Sequence, residues 1–190
     1  MKTARNLIPS LAALGLVLAG PAPATQWKAV DSTHSSLTFV VKEMGVPVDG
    51  KFRHFDAALD FDPAHPAAAH AAIVLDVASI DAGSDDANGE VVGKGWFDAK
   101  DFPQARFEST AVRPAGANRY EVSGRLTIKG HTQDITVPFT FTPQGNVALV
   151  DGAFTIRRAD FAVGEGAWAD YATVGNEIQV RFHFQAAAGK

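Results

Sequence analysis

The sequence predicts an all-β protein: a single antiparallel barrel of about eight strands, with one short helical or irregular segment near residues 87–97. Three observations carry this. Apolar side chains recur at every second position in run after run, the pattern of strands with one buried face. The breaks between runs carry turn residues at short, antiparallel-length spacings. The expected inward faces are bulky, and many of the thirteen Phe residues fall on them. Eight strands is also the size that either fills itself with side chains or holds one small ligand.

The chain opens with a segment outside the fold. Met1-Lys2-Thr3-Ala4-Arg5 is cationic, Leu7–Gly20 is apolar, and Ala22-Pro23-Ala24 has the small-x-small form that signal peptidase cleaves. The apolar core falls short of the roughly 20 residues of a spanning helix. Residues 1–24 therefore read as a removed Sec leader, and residues 25–190 as one domain exported in soluble form to the periplasm without stable membrane insertion. Loss of Lys2 and Arg5 leaves 15 basic against 21 acidic side chains, a net charge of −6.

Trp27–Val30 opens the sheet. Leu37, Phe39 and Val41 then alternate with Ser36, Thr38 and Lys42. Val48-Asp49-Gly50 reads as a turn, Phe55–Phe61 as a weaker strand, and Asp62-Pro63 as the next turn. Pro66–His70 has room for one helical turn, and Ile73–Ile80 is apolar on both faces. Ala87–Phe97 is the main helical candidate, weakened by Gly89, Gly93 and Gly95. Ala105–Val112 alternates weakly. Val122, Leu126 and Ile128 follow the period clearly, and so do Ile135, Val137, Phe139 and Phe141. Lys129–Gln133 is the loop expected between those two runs. Pro138 sits on the polar side of its strand, which places it near an edge or a bulge. Ala148–Ile156 and the run Ile178, Val180, Phe182, Phe184 complete the barrel.

Composition excludes several classes. With no Cys there is no disulfide, thiolate metal site or cysteine nucleophile. A net charge of −4 and a pI near 5.8 argue against nucleic acid as a partner. None of the six His residues forms an HxH, HxxxH or HExxH pattern. Asp85–Glu90 lacks the Glu that a calcium loop needs after its Gly, and reads as an acidic turn. Glu165 and Asp170 flank Trp168 as solvated loop charges. Ser35 follows His34 directly, so on a strand their side chains diverge and form no nucleophile–base pair. Nothing requires an enzyme, a metal or a cofactor.

Five blocks in order carry a resemblance. They are Trp27 with Asp31-Ser32-Thr33-His34-Ser35 and Phe39; Gly50-Lys51-Phe52 with Phe55; Trp96-Phe97-Asp98 with Phe102-Pro103 and Phe107; Gly124–Thr132; and Arg158-Ala159-Asp160-Phe161. Together they resemble the YceI-like, polyisoprenoid-binding exported proteins over nearly the whole mature chain. The resemblance implies a lipocalin-like barrel around an elongated apolar pore, and a long amphiphile as partner: a polyprenyl phosphate, an isoprenoid quinone or a fatty-acid derivative. On that reading Leu37, Phe39, Phe107, Leu126, Val137, Phe139, Phe154 and Phe182 line the pore. His34, Ser35 and Lys94 would meet the headgroup at a mouth rimmed by Trp96 and Trp168. For His34 the competing reading is a turn-capping hydrogen bond, and for Lys94 plain solvation. Many family members carry His where this chain has Glu43 or Met44, and again where it has Glu90. Acidic groups there disfavour a phosphate and suit a neutral head. The alternative function is a periplasmic stress or adaptor protein whose barrel is filled by its own Phe side chains. A homodimer is compatible with either.

Overall fold

The computed structural model describes residues 26–189, so the expected leader lies outside the described residues. The alternating runs become eleven strands: β1 (Trp27–Val30), β2 (Ser36–Glu43), β3 (Val46–Phe52), β4 (Phe55–Phe61), β5 (His70–Asp76), β6 (Ile80–Asp81), β7 (Gln104–Pro114), β8 (Arg119–Ile128), β9 (His131–Gln144), β10 (Val147–Arg157) and β11 (Glu177–Ala188). α1 covers Asp85–Val91. All pairings are antiparallel, and β11 closes the sheet by pairing with β10 on one side and with β1 and β2 on the other.

Eleven strands make eight walls because three walls are kinked. A 3₁₀ turn at Ser32–His34 divides β1 from β2, residues 53–54 divide β3 from β4, and a 3₁₀ turn at Val77–Ser79 divides β5 from β6. The walls then follow one another round the barrel in sequence order, an up-and-down topology. Two kinks are set by aspartates, whose carboxylates accept the amide two residues on: Asp31 from Thr33 at 2.9 Å, and Asp76 from Ala78 at 3.0 Å. A kink removes ladder hydrogen bonds, and serine hydroxyls replace them. Ser35 Oγ donates to the Asp31 carbonyl at 2.6 Å and accepts from Gln185 N at 3.0 Å. Buried Ser79 does the same, donating to the Asp76 carbonyl at 2.7 Å and accepting from His54 N at 3.0 Å.

Three local expectations are corrected. Val48-Asp49-Gly50 lies inside β3; the turn is at Met44-Gly45, both at positive φ. Lys129-Gly130, likewise at positive φ, is the whole β8–β9 turn, so the loop is two residues and not five. The helix starts at Asp85, capped by Ser84 Oγ, and ends before Gly93 and Gly95. Pro138 does lie where a ladder stops: β9 pairs with β10 only as far as Phe139–Gly152. His131–Pro138 has no partner on that side.

Two apolar clusters hold the barrel. One joins Trp27, Phe61, Tyr120, Phe141 and Phe184 at one end, with Phe61 and Phe141 ring centroids 4.7 Å apart. The other joins Val77, Trp96, Leu126, Phe161 and Val174 towards the opposite end. No helix among the described residues is long and apolar enough to cross a membrane.

Candidate functional site

Between the two clusters the lumen is open, a cavity of about 680 Å³. That lies within the range of small-ligand sites. Leu37, Phe39, Phe107, Leu126, Val137, Phe139, Phe154 and Phe182 all line it. They come from β2, β7, β8, β9, β10 and β11, brought together because even spacing along each strand keeps them on one face. The five Phe among them are half-buried, not fully buried, since one side of each ring faces the lumen.

Two glycines explain why large rings leave room. Gly50 stands directly across from Phe39 in the β2–β3 ladder, and Gly152 across from Phe182 in β10–β11. A Cβ on either would overlap the opposing ring. Each ring therefore lies flat over a bare backbone instead of projecting across the pore.

The end bounded by α1 is polar. Glu43, Met44, Asp86, Glu90 and Thr173 line the cavity there and are exposed, marking it as a mouth. Three of the five are acidic. Trp168 Nε1 donates to Glu90 Oε1 at 2.7 Å, tying α1 to the turn at Gly166–Trp168. The Trp96 and Trp168 rings are 5.6 Å apart and both line the cavity; Trp96 is buried wall rather than rim, and Trp168 is half-buried.

The structure does not bring His34, Ser35 or Lys94 to this cavity. His34 Nδ1 donates to Asp31 Oδ2 at 2.8 Å in the first kink, and Ser35 is spent on the backbone there. Hydrogen bonds to the Asp31 carboxylate, from the Thr33 hydroxyl at 2.6 Å first and then from His34, hold it well below its ordinary range. Lys94 is exposed in the turn after α1.

Arg158, which the sequence placed in a resemblance block without a role, is only 2% exposed and reaches the cavity wall. All five of its N–H donors meet carbonyls: Nε to Gly175, Nη1 to Val163 and Gly164, and Nη2 to Trp168 and Val174, at 2.7–3.1 Å. Burial lowers its proton affinity, with the nearby Tyr171 opposing that, and an arginine stays charged regardless. With no donor left for a ligand, it fastens the segment 163–175 over the barrel end. Lys129 adds a second tie through Ala162 O at 2.7 Å and Glu165 Oε2 at 2.9 Å. The readable signal was parity, because Phe154, Ile156 and Arg158 continue one inward row.

On the outer wall Ser36, His183 and Asp151 stand in one cross-strand row, with His183 Nδ1 2.6 Å from Asp151 Oδ1. A hydrogen bond from Ser36 to the imidazole, which nucleophile activation requires, is absent from this row. No group of three or more His, Asp or Glu side chains among the described residues could hold a metal ion.

Comparison with known proteins fits this geometry. The YceI-like domain family matches residues 28–186. A UPF0312 protein of Yersinia pestis is 35% identical over 139 residues, covering 72% of this chain and 71% of its own. The crystal structure of Burkholderia cenocepacia BcnA superposes with a TM-score of 0.81 at 46% identity, over 83% of this chain and 99% of that one. A polyisoprenoid-binding domain of Saccharophagus degradans shares the fold at 17% identity, with a TM-score of 0.67 over 86% of this chain and 98% of its own. On the match across nearly all of its described length, the chain belongs to the YceI-like family.

Proposed function

We propose that this protein binds a long-chain isoprenoid amphiphile in its lumen and sequesters or carries it in the periplasm, without catalysing a reaction. The open apolar lumen of about 680 Å³ carries the reading. Each methylene moved from water into it contributes roughly 0.8 kcal/mol, so about ten supply ample gross driving force. The naming of the Saccharophagus degradans domain as polyisoprenoid-binding supports the same ligand class. The filled-barrel adaptor requires a plugged lumen, and this one is open.

The head is neutral and quinone-like. Glu43, Asp86 and Glu90 at the mouth would repel a phosphate, and the guanidinium of Arg158 is wholly engaged by carbonyls. Mass spectrometry of organic extracts from the purified protein should show an isoprenoid lipid. Titration of the delipidated protein with a polyprenyl quinone and a polyprenyl phosphate of equal chain length should favour the quinone. Tighter phosphate binding overturns the headgroup assignment, and binding of neither overturns the function.

A further inference from the structure

The β2–β3 hairpin breaks a local rule at its tip. Met44 is a non-glycine residue at φ 47°, in a two-residue turn where Asn, Asp or Gly is the usual choice. Its side chain is 80% exposed, and that of Val46 is 62% exposed. A non-glycine residue in this backbone region carries a cost, and Met44 recovers little of it by burial, since its side chain stays mostly in solvent. The segment Met44-Gly45-Val46-Pro47-Val48 is uncharged, with Lys42 and Glu43 of opposite sign just before it. Met44 N donates to the Thr173 carbonyl at 2.9 Å, which fixes the tip against the segment bearing Tyr171, a half-exposed aromatic. Tyrosines of this kind favour the boundary between water and lipid.

The tip also continues into the lumen. Met44 and Val48 line the mouth, and Val48 pairs with Val41, which lines the pore beyond. An apolar path thus runs from the exposed tip to the interior.

We propose that Met44 and Val46 form a docking tip, with the exposed Tyr171 on the adjoining segment, that dips into the surface of a zwitterionic lipid bilayer, so that the ligand passes between membrane and lumen without crossing water. The occupant is zwitterionic because the tip is uncharged, Lys42 and Glu43 at its base are of opposite sign, and the three acidic side chains at the mouth work against an anionic surface. The transfer role rests on the proposed lipid binding; the docking itself does not.

The chain contains no cysteine, so Met44→Cys creates a unique site for an environment-sensitive fluorophore. The label should shift to the blue with phosphatidylcholine vesicles, while the same label on Ala64→Cys, in the β4–β5 connection at the far end, should not. Uptake of a polyprenyl quinone from those vesicles should accelerate with vesicle concentration and fall about tenfold in Met44→Ser/Val46→Thr, well beyond any loss of quinone affinity the double variant shows in detergent. No shift at position 44, equal shifts at both sites, or unaltered uptake by the double variant overturns the docking tip. A concentration-dependent dimer that the double variant abolishes also overturns it, by giving the tip to a second copy. A shift confined to position 44 without quinone binding in detergent upholds docking and sinks the proposed ligand.

Discussion

The ring of Phe39 lies flat over the backbone of Gly50, its direct partner across the β2–β3 ladder, in the space a Cβ would occupy. The pore owes part of its width to this pair.

Gly50→Ala should therefore narrow the pore without breaking the fold. Gly50 has no positive φ, and the overlapping atoms belong to a side chain that can swing inward. Quinone affinity should fall about tenfold while the thermal midpoint moves by only a few degrees. Isothermal titration and a melting curve check both.

Lumen-facing and core aromatics should differ in cost. Phe141 is fully buried against Phe61 and Trp27, so Phe141→Ala should destabilise by about 3–5 kcal/mol. Phe154 looks into the cavity and already lacks partner atoms on that side, so Phe154→Ala should cost about 1–2 kcal/mol. Urea titrations of the two variants decide this, and equal losses would contradict an open lumen.

Arg158→Lys keeps the charge but cannot reach five carbonyls. Stranding two or more of them should cost about 2–4 kcal/mol. The same change should loosen segment 163–175, seen as faster amide exchange at Val163 and Val174.

Acid should weaken the first kink. The Asp31 carboxyl titrates below its ordinary value near 4 in the folded chain, so its contribution is full above that value. As the pH falls the unfolded chain takes up the proton first, and stability drops. The thermal midpoint should decline below about pH 4–5, less steeply in Asp31→Asn. A steeper decline in the variant would reverse the sign assigned here.

Relieving the mouth should change selectivity. Glu43→Gln/Glu90→Gln removes two carboxylates yet leaves an acceptor for Trp168 Nε1. Polyprenyl phosphate affinity should rise by about tenfold with quinone affinity little changed. Competition between the two lipids reads this directly.

Period-two alternation makes the pore wall legible in the sequence, because parity alone decides which face a strand residue occupies. Phe39, Phe139 and Phe182 are inward on that ground. Gly50 misleads because an Asp-Gly pair looks like a turn from sequence, while its reason for being glycine is a ring on the neighbouring strand. His34 and Ser35 belong to a recognisable block, but that block specifies a kink. Their partners, Asp31 beside them and Gln185 some 150 residues on, are set by local capping and by barrel closure respectively, and only the first can be read locally.

The β9–β10 ladder that stops at Phe139 and Gly152 gives this ring a mechanical consequence. In an unbroken barrel every interstrand bond resists a change of girth, so the wall behaves as a hoop. Where His131–Pro138 lacks its neighbour, the hoop is split for part of its height, and Gln133 Nε2 bridges to the Asp160 carbonyl at 3.1 Å like a stitch. Expansion along that seam costs a few side-chain ties, those of Gln133 and Lys129, instead of a row of backbone hydrogen bonds. A guest thicker than the resting bore would be accommodated there first, leaving the rest of the circumference unstretched.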